Sequence, residues 1–284
     1  MNSVSLTPLP VVDTRSFFRP VSSALVALLR GLGPADWERP TLAGTWTVRD
    51  ITAHLVDVTL RRVSFQRDRL APPPPPFAVQ SERDFVRFIN GLNHEWVSVT
   101  RRFSPQVLTE LFELASADLA RFVESQPLDA LSLFGVSWAG EQTSEGWFDI
   151  GREFTELWHH QMQIRLAVGA TSVDDPRYLK AMLDLSLRAL PHAYRDVAGA
   201  EGATLVVEAD GPSGGVWTLR RDARAWTLWG GRPDRADAEV RLSADATWKL
   251  LYNALPEAAA TGAMAIEGDA TLAAPLIRAR SIVV

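Results

Sequence analysis

Apolar residues in this chain follow two different periods, and the change between them near residue 174 constrains what it can fold into. Up to that point they recur every three or four residues, the spacing of a single helix face. Phe17, Val21, Leu25 and Leu28 mark a helix over about 13–32, ended by Gly31 and Gly33-Pro34. Thr47 is a natural N-cap with Asp50 three residues on, so a second helix is predicted from there to about Leu70. Ile51, Leu55, Val58, Arg62 and Phe65 define one of its faces. Further helices are predicted over about 81–103, over about 104–125 with Ser104-Pro105 as cap and first residue, and over about 147–168, stopped by Gly169. Residues 36–45 and 128–145 read as irregular. The five prolines from Pro72 to Pro76 lack N–H groups and fix φ, so they read as a stiff connector. A docking site for a proline-reading module is the alternative.

Beyond residue 174 one more helix, about 175–197, leads into short β-type runs at about 203–209, 216–221, 225–228 and 238–242, separated by Gly, Pro and Asp. Ser243 caps a helix over about 244–255. The end reads as a short strand from Met264, then a last helix opened by Gly268-Asp269. The expected fold class is therefore α followed by α+β, with a helical bundle over residues 1–172 and a small α+β domain over 173–284.

Net charge is −5, which argues against general affinity for nucleic acid or anionic membrane. No apolar run approaches membrane-spanning length. Met1 to Val12 has no basic stretch followed by a long apolar one, so it does not read as a signal peptide, and a cytoplasmic protein is expected. Cysteine is absent, which excludes disulfides, thiolate–metal sites and a cysteine nucleophile. Any thiol chemistry here must borrow its thiol from a small molecule.

Two segments about a hundred residues apart carry side chains able to bind metal: Trp46-Thr47-Val48-Arg49-Asp50-Ile51-Thr52-Ala53-His54-Leu55 and Glu156-Leu157-Trp158-His159-His160. Glu156 and His160 are i and i+4, about 40° apart on a helix, so both can converge on one ion. His159 lies about 100° from His160 and cannot join it on the same ion. His159 with Gln163 or Glu156 is the competing pair. His54 has Ile51 at i−3 and Val58 at i+4 and borders an apolar face. If the helices are neighbours, His54, Glu156 and His160 form a three-ligand set that leaves a coordination position open. The competing reading is structural: a lone His at the edge of an apolar face is often a hydrogen-bonded boundary residue, and Glu–His at i, i+4 is often only a helix pair. Oxygen and imidazole donors suit zinc, nickel, iron or manganese.

The stretch Trp37-Glu38-Arg39-Pro40-Thr41, Gly44-Thr45-Trp46-Thr47-Val48-Arg49-Asp50-Ile51, His54-Leu55 resembles the N-terminal signature of the mycothiol-dependent maleylpyruvate isomerase family, within the DinB-like superfamily. Arg152 to His160 resembles its second metal motif. The resemblance implies a DinB-like four-helix-type bundle with His54, Glu156 and His160 as metal ligands. Zinc is the first expectation for the metal and nickel the second. It also implies a low-molecular-weight thiol cofactor, such as mycothiol or bacillithiol, and an electrophilic small-molecule substrate.

Ala238-Glu239-Val240-Arg241-Leu242-Ser243-Ala244-Asp245-Ala246 and Ile266-Glu267-Gly268-Asp269-Ala270 are similar to the sterol-carrier-like C-terminal domain of the same family. Members often carry Gly-Arg shortly before the strand that leads to Gly-Asp. Here Ala258 to Ala263 has no arginine, which counts against maleylpyruvate as the substrate. Arg49 and Arg152 are candidates for binding a substrate carboxylate, against the simpler reading of solvated arginines. Trp46 and Trp158 could line the site or fill the core. Other functions compete, among them a metal-bearing scaffold with no catalysis and the two that follow. One is a metal-dependent hydrolase. The other is an apolar-ligand carrier built on Trp217, Trp226, Trp229 and Trp248.

Overall fold

The computed structural model of the protein describes residues 6–173 and 175–283. Residues 1–5 of the stretch read as lacking a signal peptide, the period-change residue Asp174, and Val284 lie outside the described residues. Two compact units form. Among the described residues, one is built mainly from 13–133 and 156–173, the other from 6–12, 134–155 and 175–282.

In the first unit a short 3₁₀ turn leads into α1 (Phe18–Arg30), followed by α2 (Pro34–Trp37), α3 (Val48–Arg62), α4 (Glu82–Thr100) and α5 (Pro105–Glu124). The helix α6 (Gly146–Val168) contributes its residues 156–168 to this unit. α3 and α1 both pack on α5, and α4 lies against α3. Phe18, Leu25, Ile51, Leu55, Leu108 and Phe112 are buried and form much of the core, as their helical spacing requires. Their burial supplies most of the stability, at about 1.5–3 kcal/mol per large side chain.

The helix starts follow their caps. Thr47 and Asp50 form a reciprocal capping box, with Asp50 N donating to Thr47 Oγ1 at 3.3 Å and Thr47 N donating to Asp50 Oδ2 at 3.2 Å. Ser104 caps α5 through Val107 N. Two expectations need correction. The region 36–45 is not irregular throughout, because Pro34 at the first turn and Asp36, which accepts from Gly33 N at 3.0 Å, open the one-turn α2. The second predicted helix also does not run as α-helix to residue 70. It changes to a π-helical turn at Val63–Arg67, and Arg69 then takes a positive φ of 59° that stops it. The proline run that follows is exposed and outside any helix or strand.

In the second unit α7 (Pro176–Ser186), a 3₁₀ turn and α8 (Leu190–Ala193) replace the single helix expected over 175–197. Pro191 has no N–H for the carbonyl of Leu187, and the ladder tightens just before it. Strands β1 (Thr204–Asp210), β2 (Gly215–Arg221), β3 (Trp226–Gly230), β4 (Ala238–Ser243) and β5 (Ala265–Gly268) make one mixed sheet in the order β3-β2-β1-β4-β5. Only β1 and β4 pair in parallel. Helices α9 (Ala244–Leu251), α10 (Glu257–Ala263) and α11 (Ala270–Ala273) complete it. Helix α10 falls on the arginine-free stretch and begins after Pro256, a start signal the alanine run conceals. β1 is buried continuously over Thr204–Val207, as a central strand covered on both faces, and in β4 Ala238, Val240 and Leu242 are buried at alternate positions. The whole is a helical bundle followed by a mixed sheet with helices. No helix among the described residues is long and apolar enough to cross a membrane.

Candidate metal centre

His54, Glu156 and His160 all lie in the bundle unit. The capping box at Thr47 fixes where α3 begins, and therefore the face on which His54 emerges. Trp96 of α4 donates its indole N–H to the carbonyl of Ala53 at 2.9 Å and holds that turn of α3. Arg165 of α6 donates to the carbonyl of Ala24 at 3.1 Å, tying α6 to α1.

These elements bring three metal-binding groups together. His54 Nε2 lies 2.9 Å from Glu156 Oε1, and His160 Nε2 lies 3.3 Å from the same oxygen. The ligand-type atoms of the three residues all fall within 4.8 Å of one another, a group able to hold a metal ion. The two imidazoles meet edge to face at 4.8 Å between ring centres. The His side chains are 4% and 9% exposed but Glu156 is 28% exposed, so solvent reaches the group from the carboxylate side.

His160 Nδ1 is 2.8 Å from Gln163 Oε1. An amide oxygen can only accept, so Nδ1 carries the proton. In neutral His160 the Nε2 lone pair then faces the Glu156 carboxylate. Two electron pairs at 3.3 Å repel, and a cation between them removes the conflict. Burial holds His54 down to about 4, against the opposing effect of its hydrogen bond to Glu156, so this ring is neutral at pH 7. Burial pushes the Glu156 carboxyl up, but its contacts with the surrounding imidazoles outweigh burial and hold the group well below its ordinary value. A neutral His54 imidazole beside an ionised Glu156 carboxylate is the pairing that coordination requires. Three protein donors of this kind suit a borderline divalent cation and leave a position for an outside ligand.

The remaining candidates sort differently. His159 is buried with its ring 4.0 Å from that of His160, and stands outside the three-residue group. Trp46 is half-buried against both imidazoles, 4.9 Å from the His54 ring and 6.3 Å from the His160 ring. It is a wall of the site rather than core filler, a role helix periodicity could not reveal because Trp46 precedes the helix. Trp158 is buried. Arg49 donates from Nη2 to the carbonyls of Arg101 and Phe103, at 2.8 and 2.5 Å, and fastens the α4–α5 turn. Arg152 pairs with Asp149 at 3.0 Å and Glu153 at 3.5 Å. In the sheet unit Trp217, Trp226 and Trp248 are buried core residues, and Trp229 is half-buried with Arg220 4.8 Å over its ring.

Fold and site together define a class: a helical bundle presenting two imidazoles and a carboxylate to one point, joined in the chain to a mixed-sheet unit. A family model described as the mycothiol maleylpyruvate isomerase N-terminal domain matches residues 18–165, just over half of the 284 residues, and the chain belongs to that family. Among solved structures the chain is similar to a mycothiol-dependent maleylpyruvate isomerase, at 17% identity over 85% of this chain and 88% of that one, with a TM-score of 0.52. The crystal structure of a histidine-to-alanine mutant of that enzyme matches at 16% identity with the same coverage and a TM-score of 0.50. Identities this low speak to the fold alone. A UbiJ-SCP2 ubiquinone synthesis protein overlaps 32% of the chain at 25% identity, but loosely, with a TM-score of 0.23. No curated protein matches the sequence.

Proposed function

We propose that this protein is a divalent-metal-dependent enzyme that uses a low-molecular-weight thiol to act on an electrophilic small molecule, as an isomerase or a thiol transferase. The observation that carries the reading is the convergence of His54 Nε2 and His160 Nε2 on one oxygen of Glu156, in a member of the maleylpyruvate isomerase family. These three residues would hold the metal, with zinc the first choice and nickel the second. A cation there supplies the charge that favours the thiolate form of a bound thiol.

The chain's own residues do the rest. Gln163 fixes the tautomer of His160 and turns its Nε2 lone pair inward. Trp46 closes one side of the imidazole pair with an apolar ring and keeps bulk water from that side. The partly exposed flank at Glu156 gives small molecules a way in. The absence of cysteine means that the nucleophilic sulfur comes from outside, with mycothiol or bacillithiol the natural candidates. The arginine-free stretch at α10 points away from maleylpyruvate itself as the substrate.

Metal analysis of purified wild type, His160→Ala and His159→Ala tests the ligand set. One equivalent is expected in wild type and His159→Ala, and none in His160→Ala. Equal metal in wild type and His160→Ala overturns the assignment. Screening electrophiles with several small thiols then tests the chemistry, and no turnover with any thiol counts against it.

A further inference from the structure

We infer that Arg61 is the anion-binding residue of this centre, holding a carboxylate of the small molecule that occupies the metal's open position. The inference rests on the metal-site reading above. Arg61 is seven residues after His54 on α3, which is only about 20° short of two full turns, so the two share a face. Helical side chains lean toward the N-terminus, so a long side chain at this position reaches back toward His54. The contacts agree: Nη2 lies 3.0 Å from Asp57 Oδ2, and Asp57 stands one turn before Arg61 and three residues after His54. The same nitrogen donates to Asn93 Oδ1 of α4 at 2.8 Å. The positive charge of Arg61 is among those felt at His54.

Two bonds on Nη2 fix the guanidinium and leave donors over. Nη1 has no partner among the described residues, and neither has the buried Nε. The side chain is 24% exposed and Glu156 is 28% exposed, so both are open to molecules from solvent. The other two arginine candidates are committed elsewhere. Arg49 is about 140° from His54 around α3 and serves the α4–α5 turn. Arg152 serves Asp149 and Glu153. Asp57 is the standing counter-charge of Arg61, buried beside it, and a ligand carboxylate becomes its second anionic partner. A guanidinium held by one nitrogen still presents a planar, charge-assisted donor edge to a carboxylate, which an ammonium cannot reproduce.

The test uses full-length protein loaded with cobalt(II), whose visible spectrum reports ligands entering the metal site. Two probe pairs differ only in charge: pyruvate with methyl pyruvate, and N-acetylcysteine with its methyl ester. Wild type is expected to prefer the acid of at least one pair. In Arg61→Met that acid is expected to weaken about tenfold or more while the ester is unchanged, and Arg61→Lys recovers part of the loss. A merely structural role for Arg61 moves acid and ester alike. The pair that responds identifies the ligand held, electrophile or thiol. Asp57→Asn/Arg61→Met removes both charges together and guards against misfolding caused by an uncompensated Asp57. An unchanged acid preference in a cobalt-loaded Arg61 variant, or no preference in wild type, overturns the inference alone. Failure of wild type to bind cobalt at this group removes the proposed function with it.

Discussion

In the sheet unit four buried aromatic side chains each find one acceptor. Trp217 donates to Asp184, Trp226 to the carbonyl of Val197, Trp248 to Asp245 and Tyr194 to the carbonyl of Leu272, all at 3.0–3.1 Å. The bundle unit sets two buried imidazoles on a single carboxylate oxygen and leaves His54 Nδ1 buried with no hydrogen-bond partner. A satisfied network favours one packed state, whereas an imidazole lone pair held against a carboxylate costs stability unless a cation lies between them. The contrast sets the candidate metal group of the bundle apart from the core of the sheet unit.

The sharpest way to break this contrast is to remove the shared oxygen. Glu156→Ala is expected to abolish metal retention, read by elemental analysis, while the tryptophan signals of the sheet unit stay as in wild type. Trp248→Ala makes the complementary change. Loss of this fully buried indole is expected to cost about 3–5 kcal/mol in denaturant unfolding, yet leave one metal per folded molecule. If it also emptied the metal site, the two units would not be separable in function.

Acid probes the crowding itself. His54 sits at about 4 when folded, below the ordinary 6.5 of an unfolded imidazole, so below pH 6.5 the unfolded chain takes up a proton that the folded one resists. Metal-free protein is therefore expected to hold its full stability above pH 6.5 and to lose about 3 kcal/mol by pH 4 from this group. The depressed Glu156 adds a loss in the same direction at still lower pH. Urea melts across this range should show a shallower decline in His54→Gln, and an identical decline would remove His54 as the source. The smallest effect belongs to the cap: Thr47→Ala should cost about 1 kcal/mol by the same melts, with little change in metal affinity.

Much of the fold was legible in the sequence because its signals are local. The Thr47 and Ser104 caps, the Gly169 stop and the Gly, Pro and Asp turns between the β-type runs each depend on a few neighbouring residues. The misses came where one residue type hid another's effect. Pro191 broke a run that its apolar neighbours suggested was continuous, and the π-helical turn at Val63 left no compositional trace. At the site, the i, i+4 spacing of Glu156 and His160 could be read directly, whereas their approach to His54 needed tertiary packing or a family resemblance. Trp46 could be read only as wall or core filler, and Gln163 only as a partner of His159, because their roles depend on where a loop and a single amide point once the helices have met.

The amide of Gln163, one turn beyond His160 on the same helix, has a consequence for timing. The ring is aimed by its own backbone neighbour, so its orientation is settled when α6 winds rather than when cargo arrives. Such a ligand arm carries its bearing with it, and the rotational freedom lost at that position is lost during folding. On the metal-centre proposal, a cation would enter a seat already cut to shape, with the Glu156 flank as its way in.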